Sequence, residues 1–229
     1  MTKSKSAQSA APRQSLHTTA PKSKTTQQQP GGLSRRAQRW LFGSMLVGAC
    51  LSLLASLVLS IEAVHLAANP NAQLSCSLNA VVNCATVSLH PSAAFFGFPN
   101  SFLGLIAEPV VITVAIAGLA GVRFPRAFMF AAQLGYTLGF VFAYTLLFIS
   151  MFIIQALCPW CLVVTITTTF VFFAMTRYNI VYNNLYLPVG LHTRLARWVS
   201  KDYDTLLLWL IIVVMSAGII IKYGEGLFA

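Results

Sequence analysis

Two cysteines separated by two residues can close a small redox ring, and Cys158-Pro159-Trp160-Cys161 places such a pair inside an apolar run from Ala127 to Met175 that holds no acidic or basic residue. At the start of a helix the first thiol meets unpaired backbone N–H groups, which favour the thiolate and lower its pKa from an ordinary value of about 8.5. A nucleophile results. The motif can also be read as half of a zinc site or as a structural disulfide. No second pair of the same spacing exists, however, and so short a cross-link restrains little chain, so redox chemistry is favoured and no metal is assigned.

Cys76 and Cys84, with seven residues between them, form a second candidate pair. Taken alone it reads better as a static loop staple, because disulfides in oxidising compartments usually are. A second dithiol at the same membrane face changes that reading, since two such pairs can pass a disulfide between them by thiolate attack. Cys50, the odd cysteine, lies within an apolar segment and reads as a small hydrophobe. Glu108, beside Pro109 in another apolar segment, is either a proton relay or a neutral carboxyl bonded inside the protein.

The elements that carry these residues are membrane helices. The 229 residues are 57% hydrophobic and 9% charged, with a mean hydropathy of +0.73, more apolar surface than a soluble domain can bury. The net charge of +10 does not point to nucleic acid, because the basic residues sit in the amino-terminal tail and between apolar runs, where they orient a chain in a bilayer. Residues 1–39 read as a disordered, basic cytoplasmic tail in which Lys22, Lys24, Arg35, Arg36 and Arg39 could meet anionic headgroups. The first span is expected over Trp40 to Ile61, about 33 Å of helix. It is read as a span rather than a signal peptide, with eight basic residues before it holding the amino terminus in the cytoplasm.

A turn-rich external loop, 62–100, follows. Further spans are expected over Phe102 to Val122, Ala127 to about Ile149, about Ala156 to Met175, and Thr205 to Ile221, with a cytoplasmic connection over 178–204 and a short external tail within 205–229. This arrangement is an all-α integral membrane protein of five spans. It puts all four paired cysteines on the extracytoplasmic face. Gly135 and Gly139 form a G-x-x-x-G expected to permit close helix packing, and Trp160 reads as an interfacial anchor.

Over about Leu41 to Arg177 the chain resembles the vitamin K epoxide reductase family, in the bacterial branch that makes disulfides for secreted proteins. The resemblance rests on the C-x7-C pair Cys76/Cys84, the segment Phe98-Pro99-Asn100-Ser101-Phe102-Leu103-Gly104, and Cys158-x-x-Cys161, in that order. It implies a four-helix bundle, here 40–177, around a quinone (menaquinone or ubiquinone), to which the hydropathy of this chain adds a fifth transmembrane helix. It further implies that Cys76 and Cys84 shuttle disulfides to a partner, that Cys158 receives their electrons, that Cys161 faces the quinone and that Asn100 hydrogen-bonds a quinone carbonyl. Asn100 would alternatively cap the second span. His90 and Thr165 stand where relatives have Ser and the vertebrate enzyme has Tyr, and the second departure argues against vitamin K epoxide as substrate. No thioredoxin-like domain follows the helices, so the expected partner is a separate extracytoplasmic thioredoxin-fold, DsbA-like oxidase. The competing readings are a reductase of quinone-like or epoxide substrates, and a non-enzymatic transporter or scaffold stapled by inert disulfides.

Overall fold

The computed structural model describes residues 33–228 apart from 75, 78 and 80, with side chains as far as 224. Most of the amino-terminal tail, with Lys22 and Lys24, lies outside the described residues. Helix α1 (Arg35–Ala68) opens where the Ser34 hydroxyl accepts the Ala37 N–H, and ends at Asn69, whose backbone is extended ahead of Pro70. At 34 residues it is about 51 Å long, more than a bilayer core needs. It therefore starts before Trp40 and carries Glu62 on its last turns instead of leaving it in the loop.

Short helix α2 (Cys84–Leu89) and a 3-10 turn (Pro91–Ala94) follow, and then α3 (Ser101–Leu119) and α4 (Arg126–Ile149). A π turn, Ser150–Ile154, extends α4 until Gln155 adopts a left-handed conformation. Helix α5 (Pro159–Val181) begins immediately after, with proline at the first helical position, where its missing N–H is no loss. Amphipathic α6 (Val189–Ser200) and apolar α7 (Tyr203–Phe228) complete the chain. Five of these helices are long and apolar enough to cross a membrane, and among the described residues there is no strand. The protein is an all-α, multi-pass membrane protein.

Helix α1 packs between α3 and α5, and α4 packs against α5. The buried core joins Phe42, Met45 and Ala49 of α1 to Val111, Val114 and Ala115 of α3 and to Val171 and Met175 of α5. Two glycines make the α1–α3 approach possible. A Cβ at Gly118 would strike the Phe42 ring, and one at Gly104 would enter the Ser56 side chain. Polar groups inside the bundle pair with each other, as a hydrocarbon surround demands: Ser60 Oγ donates to the Ser56 carbonyl and bonds Ser101 Oγ, and Asn179 donates to Gln133 Oε1 at 2.9 Å. Ile106, Leu138 and Val213 are exposed on the outside, as side chains facing lipid would be.

The turns collect at two ends. Residues 69–100 and 150–158 share one, where Val82 and Leu157 form a parallel bridge. The connections after α3 and α5 share the other, where Arg126 donates to the Asn183 carbonyl and Arg177 pairs with Asp202 and Asp204. The basic residues of the connections thus lie at the end opposite the paired cysteines.

Candidate functional site

The cysteine loop is shaped by short polar side chains that substitute for regular backbone pairing. Asn79 Oδ1 accepts from the backbone N–H groups of Val81 and Val82, and Asn83 Oδ1 accepts from Ser77 Oγ and from the Thr86 N–H at the start of α2. These bonds present an edge of extended chain. The Leu157 N–H donates to the Val81 carbonyl at 2.7 Å and the Asn83 N–H donates to the Leu157 carbonyl at 3.0 Å. Leu157 immediately precedes Cys158, and Asn83 immediately precedes Cys84. The bridge therefore carries one cysteine of each pair to the same place.

Cys76 and Cys84 are joined in a disulfide. The Cys84 sulfur lies 3.3 Å from that of Cys158, with Cys84 0% and Cys158 1% exposed and Cys76 8% exposed. Cys158 is the N-cap of α5, and its sulfur accepts the Cys161 backbone N–H at 3.4 Å. The Cys161 thiol beside it, helped by the N–H groups of Cys161 and Trp160, holds the Cys158 thiol below the ordinary thiol range, while burial and the charge of Glu62 push the other way. Trp160 packs on the same apolar cluster as Cys84 and Cys158. At the other sulfur of the disulfide, Glu62 Oε1 and Oε2 lie 3.2 and 3.4 Å from Cys76 Sγ.

Inward from the cysteines the helices α1, α3, α4 and α5 enclose an apolar cavity of about 690 Å³, which the segment 87–94 helps to wall. Cys158 and Cys161 both line it. So do Gly135 and Gly139, and a Cβ at either would meet nothing within 4 Å. The G-x-x-x-G of α4 therefore opens space for the cavity and does not bring helices together. Further down, Ser52 donates to Glu108 Oε1 at 2.8 Å, while Glu108 Oε2 and the Tyr136 hydroxyl lie buried without hydrogen-bond partners. Glu108 is 4% and Tyr136 9% exposed, and both line the cavity.

Asn100 also lines the cavity, yet its side chain does not cap α3. Its Oδ1 accepts from the Phe95 N–H and its Nδ2 donates to the Ser92 carbonyl at 2.7 Å, which commits one of its two N–H groups to holding the turn at the cavity wall. His90 caps that turn, its Nδ1 accepting the Ser92 N–H, and Thr165 donates back to the Cys161 carbonyl. Cys50 is half-buried and remote from both pairs in sequence. Sequence reasoning singled out the four cysteines, Asn100 and Glu108 but passed over Glu62 and Tyr136. Glu62 was detectable as one of only five acidic residues in the chain. Tyr136 carried no signal among so many aromatics.

A buried disulfide in contact with a second thiol pair is an arrangement for thiol–disulfide exchange. No curated protein matches the sequence. The family model described as "Vitamin K epoxide reductase family" matches residues 44–176, more than half of the chain and the part that holds both cysteine pairs and the cavity. The chain belongs to the vitamin K epoxide reductase family, and with its Cys76–Cys84 disulfide it is an oxidoreductase of the thiol–disulfide kind.

Proposed function

We propose that this protein re-oxidises an extracytoplasmic thioredoxin-fold, DsbA-like thiol oxidase and passes the electrons through its two cysteine pairs to a membrane quinone, supporting oxidative folding of secreted proteins. The observation that carries this reading is the 3.3 Å approach of Cys84 to Cys158 at the head of an apolar cavity that Cys161 also lines. Cys76, the less buried residue of its pair, takes the attack of one partner thiolate and Cys84 leaves as a thiolate; the partner's second thiol then displaces Cys76, which takes up a proton, and the partner departs with its own disulfide. Cys84 is already seated against Cys158, so it attacks that sulfur when Cys158 and Cys161 are joined, and Cys161 is released toward the cavity.

The residues around the cavity fit a quinone. A long apolar chamber suits its isoprenoid body, and Asn100, Glu108 and Tyr136 offer polar groups to its carbonyls, two of them with atoms that no protein group satisfies. When bound, a quinone accepts two electrons and two protons and so disposes of what one new disulfide releases. Asn100 can donate to a carbonyl without the penalty of a buried charge. The basic connections opposite the cysteine end support an orientation with the amino terminus cytoplasmic and both pairs extracytoplasmic.

Single-turnover thiol trapping in membranes, with and without a soluble quinone, tests the reading. Asn100→Ala should leave exchange between the cysteine pairs intact but slow quinol formation, by up to about a hundredfold for the roughly 1–3 kcal/mol of one lost hydrogen bond. Asn100→Asp should be at least as harmful, because a carboxylate repels the developing oxyanion and cannot donate to Ser92. Unchanged quinol formation in both variants removes Asn100 from the site. Disulfides that stay untouched by quinone would leave only the staple reading.

A further inference from the structure

The exchange just described leaves Cys76 with a proton to lose, and a carboxyl group stands against that sulfur. Glu62 lies on the last turns of α1, is buried, and holds both carboxyl oxygens within 3.4 Å of Cys76 Sγ, whereas Cys158 meets the other sulfur of the disulfide, that of Cys84. Burying a carboxyl is unfavourable, and here it stands against a disulfide sulfur, where a proton must come and go each time the disulfide opens and closes. Glu62, Cys76 and Cys84 bring one carboxyl oxygen and two sulfurs within 4.8 Å of one another, so a proton can pass between oxygen and sulfur with no water between them.

We infer that Glu62 is the acid–base residue of the loop pair, taking the proton from Cys76 when the loop disulfide closes and returning it when the disulfide opens. The inference rests on the proposed relay. In the closing step the loop is joined to α5 through a Cys84–Cys158 disulfide and Cys76 is a thiol. The Cys76 S–H bond breaks and its proton goes to a Glu62 carboxylate oxygen. The Cys76 sulfur forms a bond to Cys84, the Cys84–Cys158 bond breaks, and its electron pair leaves on Cys158 as a thiolate. One disulfide replaces another, one negative charge moves from Glu62 to Cys158, and no outside oxidant or reductant is required.

That charge movement gives the step a direction. A charged Glu62 disfavours the thiolate of Cys158, and a Glu62 that has just been protonated no longer does. The same carboxyl thus holds Cys158 back before transfer and releases it during transfer. An amide at this position could fill the same space and still form hydrogen bonds, but it could not take the proton.

The test uses the full chain in lipid nanodiscs in a Cys161→Ala background, with neither quinone nor partner protein present. There Cys158 can exchange only with the loop pair. A jump from acid, where exchange is frozen, to neutral pH starts the relaxation between the Cys76–Cys84 and Cys84–Cys158 disulfides, and alkylation after quenching reads it. Glu62→Gln should relax on the order of a hundredfold more slowly than the background, and Glu62→Asp, which keeps a carboxyl, should be at least about tenfold faster than Glu62→Gln. Glu62→Gln that relaxes as fast as the background overturns the inference. So does the reverse ranking, Gln faster than Asp, which means that the side chain acts through its length and shape, or a Gln variant that fails to assemble, which means that the carboxyl holds the fold. No relaxation even with Glu62 present would instead overturn the relay between the pairs.

Discussion

At one end of the bundle, arginines fasten the helices: Arg126 donates to the Asn183 carbonyl and Arg177 ties α5 to α7 through Asp202 and Asp204. At the other end Asn79, Asn83 and Asn100 shape the loops, and a backbone bridge between Val82 and Leu157 joins them. The first kind of fastening uses long, partly exposed side chains that tolerate small shifts. The second fixes the main chain on either side of the sulfurs, and chemistry between sulfurs 3.3 Å apart depends on such alignment. Keeping long charged side chains away from the thiols also leaves their reactivity to a small set of neighbours, namely the Cys161 thiol, the first N–H groups of α5 and Glu62.

The bridge is the fastening whose loss costs most. Leu157→Pro removes the N–H that donates to the Val81 carbonyl, and a displacement of about 1 Å at the sulfurs should slow exchange between Cys84 and Cys158 by about a hundredfold. Rapid-quench alkylation measures that rate, and a rate near the native one would mean that the bridge does not align the sulfurs.

A smaller effect concerns pH. The Cys158 thiol is held below the ordinary thiol range, chiefly by the Cys161 thiol, so its thiolate is lost as pH falls through that lowered value. Exchange should follow the same course. Cys161→Ala removes the largest cause of the lowering, so the midpoint of the pH–rate profile for Cys158 attack should move upward. A midpoint that stays put or falls would show that the N–H groups of α5 suffice without the second thiol.

At the opposite end the expected effect is smallest. Arg177→Ala should lower stability by about 1 kcal/mol, since its partner Asp202 is largely exposed, while leaving the rate of disulfide exchange unchanged. Thermal unfolding in detergent together with the alkylation assay checks both halves. A large loss of exchange would mean that the two ends are coupled through α5.

Much of this division was legible in the sequence. Continuous apolar runs and the placement of Arg123, Arg126 and Arg177 are strong signals because a bilayer tolerates so few alternatives, and the five membrane helices follow them. The cysteine pairs were legible from spacing and order. What was hidden depended on tertiary approach. Glu62 fell outside the expected first span because hydropathy drops at an acid whether or not the helix continues, and here it continues for six more residues to Ala68. Gly135 and Gly139 fit a packing motif equally well as a cavity wall, and only the open space beside both in the folded chain decides between them. Asn100 preceded a helix as an N-cap would, yet the turn at 91–94 came close enough to claim its side chain.

The relay runs through Cys84 and Cys158, the two sulfurs by which the pairs communicate. The most direct measurement is peptide mapping of the intramolecular disulfide formed by the Cys161→Ala protein in membranes, after acid quenching, alkylation of free thiols and proteolysis between residues 76 and 84. A Cys84–Cys158 link with Cys76 alkylated is the predicted result. A Cys76–Cys158 link, or a Cys76–Cys84 disulfide that never exchanges with Cys158 at neutral pH, would contradict it.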